Sequence, residues 1–319
     1  MSDLVGVDLG GTKIAAARMN GRHLGEAVVE PTNRSSASAL LDQLVELVVR
    51  VRSGEMSAVG IGVPSVVEFE TGRVVSSVNV PLADLPLRQL LGERLGVPVF
   101  IDNDATVAAL AEAHDEQLQP IADDLVMLTI GTGVGGGLVI GGRIYRGAIG
   151  GAAEIGHTIV GLALSESAVP APDGFPQQGS LESLASGRAL DRLAAEAARD
   201  HPESALGRLR AEGKTALGPE ALRAARGGDE VAGRLVETWA ERVGIGIANA
   251  INTFDPDEVV LGGGGALAGE LLLAPATRVA REYVLPGVGR RTTIRLARHG
   301  VRAGVLGAAL LAMHESEEP

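Results

Sequence analysis

The chain has 319 residues, of which 45% are hydrophobic, 44 are glycine and 2% are aromatic. That length exceeds one ordinary core and predicts two domains or two lobes, and the composition favours an α/β enzyme with many tight turns. A net charge of -12 opposes the wrapping of nucleic acid, which needs clustered lysine and arginine. The chain has no cysteine and no run of about 18 apolar residues, so we expect a soluble, cytoplasmic protein without disulfides or a membrane partner.

The first third of the chain alternates between strand and helix patterns. It opens as a predicted β-meander, in which Gly10-Gly11-Thr12 and Asn20-Gly21 separate short apolar strands. Apolar residues at helical spacing then follow a run of serines that are suited to cap a helix. The predicted elements are strands over 4–9, 13–19 and 27–30, a helix over 36–52, buried strands over 57–63 and 97–101, and a helix over 105–113.

The strand, glycine turn and strand of the opening recur about 120 residues later. This repeat predicts a duplicated β-sheet core with lobes over 1–120 and 121–319, the last helix being a candidate to return to the first lobe. The predicted elements of the second lobe are strands over 125–130 and 137–140, a helical insertion over 201–230, a long amphipathic helix over 232–251, a strand over 258–261, a glycine run over 262–265 and a further helix.

The two glycine turns are candidate phosphate-binding sites. Gly10-Gly11-Thr12 would let backbone N–H groups approach phosphate oxygens, with Asp8 facing a magnesium ion, although a plain hairpin explains the same glycines. Residues 131–137 hold five glycines in seven positions, more than a tight turn needs, and close approach of a ligand explains them better. The glycine run after the strand over 258–261 is a weaker candidate for covering adenosine.

The triplet Asp102-Asn103-Asp104 stands at the end of a predicted strand, where open α/β sheets place their ligands. One of its carboxylates is a candidate general base. Because Asn and Asp are also preferred helix N-caps, the triplet alone leaves both interpretations open. Its position between the two glycine turns favours the catalytic one.

Two further groups of polar residues are candidates for holding a sugar. Glu154 and His157 are three residues apart, so on a helical turn they face one direction and could hold vicinal hydroxyls, or they form a solvated surface pair. Glu182 is open to the same role, or is an acidic residue that the dipole favours near the start of a helix.

These motifs, in this order and over nearly the whole chain, resemble the ROK family of repressors, open reading frames and kinases, most closely its bacterial glucokinase branch. The resemblance implies an α/β protein with the two-lobed, actin-like (ribonuclease H-like) ATPase fold. It also implies an enzyme of carbohydrate metabolism and glycolysis, a kinase that moves a phosphoryl group from ATP, with magnesium, to a hexose hydroxyl, most often to give glucose 6-phosphate. Family members are commonly dimers.

The resemblance also implies roles for individual residues. Asp104 is the base, and Asp8 holds magnesium through water. The sugar hydroxyls are held by Asn79, Asn103, Asp104, Glu154, His157 and Glu182. The nucleotide is bound by Asp8, Gly10, Gly11, Thr12, Lys13, Gly131, Thr132, Gly133, Gly135, Gly263 and Gly264.

The chain departs from the family pattern at three places. Ser65 stands where the family usually has glycine, and Thr106 stands where it often has asparagine. These two departures leave the preferred sugar open. The cysteine-rich zinc loop before Glu182 has no cysteine here, and His157 with Asp173 is too small a ligand set, so we expect no structural zinc. We expect the loop over 161–180 to be ordered instead by packing of Phe175 and by Pro172 and Pro176.

Other functions remain open from the sequence. The hexose is open among glucose, mannose, fructose and N-acetylmannosamine, and the donor is open between ATP and polyphosphate. A sugar-sensing regulator of the same family is a non-enzymatic alternative. That branch carries a DNA-binding domain of about 60 to 80 residues ahead of the core. Since the first strand starts at residue 4, we expect a kinase.

Overall fold

The computed structural model describes residues 3–77, 79–161 and 174–317. Pro172 and Asp173, which the sequence analysis singled out, lie outside the described residues. The strands are β1 (Asp3–Leu9), β2 (Lys13–Asn20), β3 (His23–Leu24), β4 (Val28–Pro31), β5 (Met56–Val63), β6 (Ser65–Glu68), β7 (Arg73–Ser77), β8 (Val99–Asn103), β9 (Leu125–Ile130), β10 (Val134–Ile140), β11 (Arg143–Ile144), β12 (Glu258–Gly262) and β13 (Thr293–Leu296). The α-helices are α1 (Ala37–Val51), α2 (Leu87–Leu95), α3 (Asp104–Glu112), α4 (Leu181–Ala185), α5 (Gly187–Asp200), α6 (Ala205–Ala211), α7 (Gly218–Arg226), α8 (Glu230–Phe254), α9 (Glu270–Tyr283) and α10 (Ala303–Glu317).

The chain forms two compact units, and each unit is built from more than one stretch of the sequence. The first unit comprises residues 1–127, 137–153 and 298–319, and the second comprises 128–136 and 154–297. These units differ from the predicted lobes because the chain re-enters the first unit twice after residue 127. The last helix, α10, belongs to the first unit and packs on β1, β5 and α3.

The sheet of the first unit has the order β3-β2-β1-β5-β8, and β4 also pairs with β2. The predicted hairpin of β1 and β2 is confirmed as antiparallel, whereas β1, β5 and β8 run parallel. α10 lies so close to this sheet that a Cβ on Gly60 would stand 1.8 Å from the carbonyl oxygen of Ala308. Because parallel strands end at the same edge, β1 and β8 bring Asp8 and Asn103 to one side of the unit.

A second, five-stranded sheet has the order β11-β10-β9-β12-β13, and β12 and β13 are parallel. The predicted start of β10 at Gly137 was wrong, because β10 begins at Val134 and the turn itself is only residues 131–133. Residue 137 lies within this strand and must be glycine, because a Cβ there would lie 2.6 Å from the carbonyl oxygen of Ala105 on α3. A helix neighbour therefore accounts for this glycine.

The second unit is largely helical. The predicted long helix is confirmed as α8, which is preceded by the N-cap Asp229 and followed by the C-cap Asp255, a residue with φ of 44°. Buried Trp239 on α8 donates its indole N–H to the carbonyl of Ala185 at 2.8 Å. The predicted insertion over 201–230 contains the helices α6 and α7. None of the helices in the described part of the chain is long and apolar enough to span a bilayer.

Candidate functional site

Two carboxylates of the first unit lie close together where β1 ends and α3 begins. Asp8 is the sixth residue of β1, and Asp104 is the first residue of α3. Burial, and secondly the negative charge of Asp8, raise the pKa of Asp104 to about 6. Burial also raises the pKa of Asp8, an effect that the charge of Lys13 opposes. The arrangement makes Asp104 a carboxylate that can take up a proton near neutral pH.

Asn103 caps a helix and also keeps a donor for a ligand. Its side-chain oxygen caps α3 by accepting the backbone N–H groups of Ala105 and Thr106 at 2.9 and 3.2 Å, so the N-cap is confirmed. Its amide nitrogen donates to the carbonyl oxygen of Ser65 at 3.3 Å. A primary amide has two N–H donors, so one of them stays available to a ligand hydroxyl.

Asp102 is excluded as the general base of the triplet because both of its carboxylate oxygens have partners. One oxygen accepts the backbone N–H of Asn103 at 2.9 Å, and the other accepts the Nε–H of Arg146 at 2.7 Å. Sequence reasoning did not identify Arg146, which is 44 residues away, or its second partner Glu315. No local pattern signals a pair at such a separation.

The first glycine turn is compact and its polar side chains are exposed. The N–H of Gly10 donates to the carbonyl of Lys13 at 2.9 Å, and the hydroxyl of Thr32 donates to the carbonyl of Gly10 at 2.7 Å. A Cβ on Gly11 would lie 3.1 Å from the Cβ of Asn79, so the predicted sugar residue Asn79 lies beside this turn. Thr12, Lys13 and Asn79 are all exposed and accessible to a ligand.

The surroundings of Asp8 fit a magnesium ion. Two carboxylates in proximity, with raised pKa values, are favourable for a divalent cation, and oxygen is the ligand atom that magnesium prefers. Magnesium usually takes one or two protein carboxylates and completes its shell with water and substrate phosphate. Among the described residues, no group of three or more His, Cys, Asp or Glu side chains is placed to hold a metal ion.

The second glycine turn, in the second unit, is held by Glu182. The Oε2 atom of Glu182 accepts the backbone N–H of Val134 at 2.9 Å, and a Cβ on Gly133 would lie 2.3 Å from that same oxygen. By contrast, a Cβ on Gly131 would meet nothing within 4 Å. Glu182 is in the first turn of α4, as the dipole interpretation expected, and it also contacts the turn. The remaining member of the turn, Thr132, is exposed.

Glu154 and His157 flank a single 3-10 turn, with 3.6 Å between the carboxylate and Nε2. Nδ1 of His157 is buried and has no hydrogen-bond partner among the described residues. The ring edge of Phe175 contacts the His157 ring at 5.3 Å between centroids. Phe175 is otherwise 73% exposed, and residues 162–173 lie outside the described part of the chain, so the expectation that Phe175 orders the loop over 161–180 stays a prediction.

The glycines predicted near the nucleotide occupy different environments. Gly263 has a φ of 76°, and a Cβ there would lie 2.6 Å from the carbonyl of Ile130, so packing and backbone conformation both require glycine. A Cβ on Gly264 would meet nothing within 4 Å. Gly135 is a half-buried residue of β10 and not part of the turn.

Comparison with known proteins identifies the family. The model of the ROK family matches residues 4–315. A glucokinase of Halalkalibacterium halodurans is 35% identical over 98% of this chain and 96% of its own length. An N-acetyl-D-glucosamine kinase of Escherichia coli is 36% identical over 96% of this chain and 98% of its own length. The crystal structure of a ROK family glucokinase from Streptomyces griseus, in complex with glucose and AMPPNP, is 34% identical and has a TM-score of 0.79 over 98% of this chain and all of that one. The chain belongs to the ROK family, and its predicted two-lobed, actin-like fold is confirmed.

Proposed function

We propose that this ROK family protein is an ATP-dependent glucokinase in which Asp104 removes the proton of the acceptor hydroxyl. The observation that carries the proposal is the pKa of Asp104, raised to about 6 by burial and by Asp8. A carboxylate of that pKa is mostly ionised at pH 7 and yet basic enough to take a proton in the transition state. The glucokinase relative at 35% identity and the glucose complex of the S. griseus enzyme support glucose as the substrate.

The sugar is assigned to two sets of side chains. In the first unit, Asn103 has one N–H donor to spare and exposed Asn79 lies beside the first turn. In the second unit, Glu154 and His157 offer an acceptor and an imidazole, and Glu182 has one oxygen that is not bonded to Val134. Hydroxyl groups both donate and accept, so a mixed set of carboxylate, amide and imidazole partners suits a hexose.

Phosphate is assigned to the two glycine turns, and adenosine to the segment of Gly263 and Gly264. The exposed Lys13 adds a positive charge to the first turn. Asp8 would hold magnesium, which when bound neutralises phosphate charge during phosphoryl transfer. We propose further that the protein works in the cytoplasm as a homodimer and binds no zinc.

The test is a coupled assay of ADP release over a panel of glucose, mannose, fructose, N-acetylglucosamine and N-acetylmannosamine. The proposal predicts the highest kcat/KM with glucose and ATP. N-acetylglucosamine belongs in the panel because of the E. coli relative, and a preference for it would reassign the substrate. A parallel series with polyphosphate in place of ATP, read as glucose 6-phosphate formed, tests the donor. No sugar-dependent turnover with either donor would refute the proposal.

A further inference from the structure

Behind the Asn103-Asp104 motif lies a charged cluster of the first unit that the proposed chemistry does not use. Asp102, only 3% exposed, binds Arg146, and Arg146 continues through its terminal nitrogen to Glu315 on α10 at 2.7 Å. The guanidinium carbon of Arg146 lies 3.4 Å from the centre of the Phe69 ring. Two carboxylates therefore accept hydrogen bonds from the planar guanidinium of Arg146, and an aromatic ring packs against its face.

The cluster acts on the backbone that carries the base. The carboxylate of Asp102 accepts the backbone N–H of Asn103 from behind, while the side chain of Asn103 caps α3 from the front. Asp104 is the next residue and the first of α3. The direction of the Asp104 side chain therefore depends on where Arg146 holds Asp102.

The same helix that supplies Glu315 also contacts the other carboxylate of the site. In the first turn of α10, Gly304 lies so close to Asp8 that a Cβ there would stand 2.5 Å from the carboxylate carbon. Residues 304 and 315 are about 16 Å apart along a helix. α10 therefore contacts the surroundings of Asp8 with one end and the cluster behind Asp104 with the other.

We propose that Arg146, bridging Asp102 and Glu315, is a positioning residue that fixes the Asn103-Asp104 segment for proton removal. This inference rests on the proposed role of Asp104. Positioning requires the bridge and not only the charge, because a lysine can compensate the charge of Asp102 but presents no planar fork to two carboxylates at once. A displacement of the base by about 1 Å lowers turnover by about 100-fold.

A cavity of about 670 Å³ beside the cluster makes chemical rescue possible. Arg146, Glu315 and Phe69 line it, so a small guanidinium ion can enter the space that Arg146→Ala would vacate. Arg143 lines the same cavity and lies on the same hairpin, and Arg143→Ala is therefore the matched control. Glu315→Leu is a milder variant, which removes the acceptor on α10 and keeps the bond between Arg146 and Asp102.

The experiment measures kcat, both KM values and the melting temperature of these variants, with the sugar that the wild type phosphorylates best. We expect Arg146→Ala and Arg146→Lys to lower kcat by about 100-fold with KM for ATP unchanged. Millimolar ethylguanidinium should raise the kcat of Arg146→Ala by at least about tenfold, whereas ethylammonium should leave it unchanged. Arg143→Ala should keep kcat within about twofold of wild type.

Other results would overturn the inference. A wild-type kcat in Arg146→Lys would mean that charge alone suffices, and a loss confined to melting temperature would mean that the cluster only stabilises the fold. If Arg146→Ala does not fold, Glu315→Leu decides, since a fall in kcat of about fivefold or more at unchanged KM for ATP supports the bridge and an unchanged kcat refutes it. A wild type that phosphorylates no sugar refutes the proposed function, and this inference with it.

Discussion

The two glycine turns have similar sequences and different surroundings. Each has a backbone hydrogen bond of 2.9 Å across it, from Gly10 to Lys13 in the first unit and from Gly131 to Gly133 in the second. The first turn is close to a pair of carboxylates, Asp8 and Asp104, whereas the second is bonded directly to the carboxylate of Glu182. The first region therefore has the raised pKa values that proton removal and metal binding use, and the second is built around one carboxylate that fixes a backbone N–H.

Different physical constraints can require glycine at different positions of one glycine-rich segment. A Cβ on Gly131 would enter open space, whereas Gly133 is required by Glu182 and Gly137 is required by α3. A sequence motif cannot separate these reasons. Variants at the second turn must therefore distinguish loss of ligand binding from loss of packing.

The largest expected effect tests the chemical role of the carboxylate pair near the first turn. Asp104→Asn keeps the size of the side chain and should lower kcat by about 10² to 10⁴, the usual contribution of a positioned base. Glucose binding, measured by calorimetry, should persist. Near-normal turnover of a folded Asp104→Asn protein would show that the carboxylate pair near the first turn does not supply the base.

The same variant should also be more stable than wild type at pH 7.5. Folding raises the pKa of Asp104 from 3.8 to about 6, so the native state binds more protons than the unfolded state between those values and stability falls as pH rises through them. Asn removes this cost, and we expect a gain of about 2 to 3 kcal/mol above pH 7 that disappears below about pH 4. Urea unfolding at several pH values measures it, and a gain that does not depend on pH would contradict the electrostatic cause.

Two substitutions at the second turn separate ligand approach from packing. Gly133→Val should weaken ATP binding far more than glucose binding, but it also displaces Glu182 and should lower the melting temperature. Gly131→Ala meets no atom within 4 Å, so it should keep the melting temperature and weaken ATP binding by several-fold only if phosphate approaches this turn. Equal losses for sugar and nucleotide in Gly131→Ala would argue against a phosphate-binding turn.

The smallest expected effect concerns zinc, and here we expect no change. A structural zinc needs four ligands, usually thiolate or imidazole, and its binding energy contributes to folding. Elemental analysis of untagged protein should therefore find no stoichiometric zinc, and a zinc-selective chelator with magnesium in excess should change neither activity nor melting temperature. Loss of either would show that residues other than cysteine form a site.

The sequence predicted the parts of the fold that local patterns encode. Alternating and helical hydrophobic spacing identified β1, β2, α1 and α8, and the predicted strand before Asp102 placed the proposed base, Asp104, at the end of that strand. It offered the last helix as a candidate to return to the first lobe. It did not predict how closely α10 packs on the sheet, because the close contacts at Gly6 and Gly60 are with partners that are hundreds of residues away. The bridge through Arg146 was missed for the same reason, because pairing over 44 and 169 residues leaves no periodic signal.

The central claim, that Asp104 is a base whose pKa Asp8 helps to raise, is tested most directly by titration of Asp104, read beside the pH dependence of kcat/KM for the preferred sugar. For wild type we predict a fall in kcat/KM of about tenfold per unit on the acid side of the profile, because protonated Asp104 cannot accept the proton. Without magnesium, the Asp104 carboxyl, followed by carbon-13 NMR, should titrate near pH 6 in wild type and at a lower pH in Asp8→Asn, since the repelling charge is gone. A wild-type titration near the ordinary value of 3.8, or a midpoint that does not move in Asp8→Asn, would contradict the account.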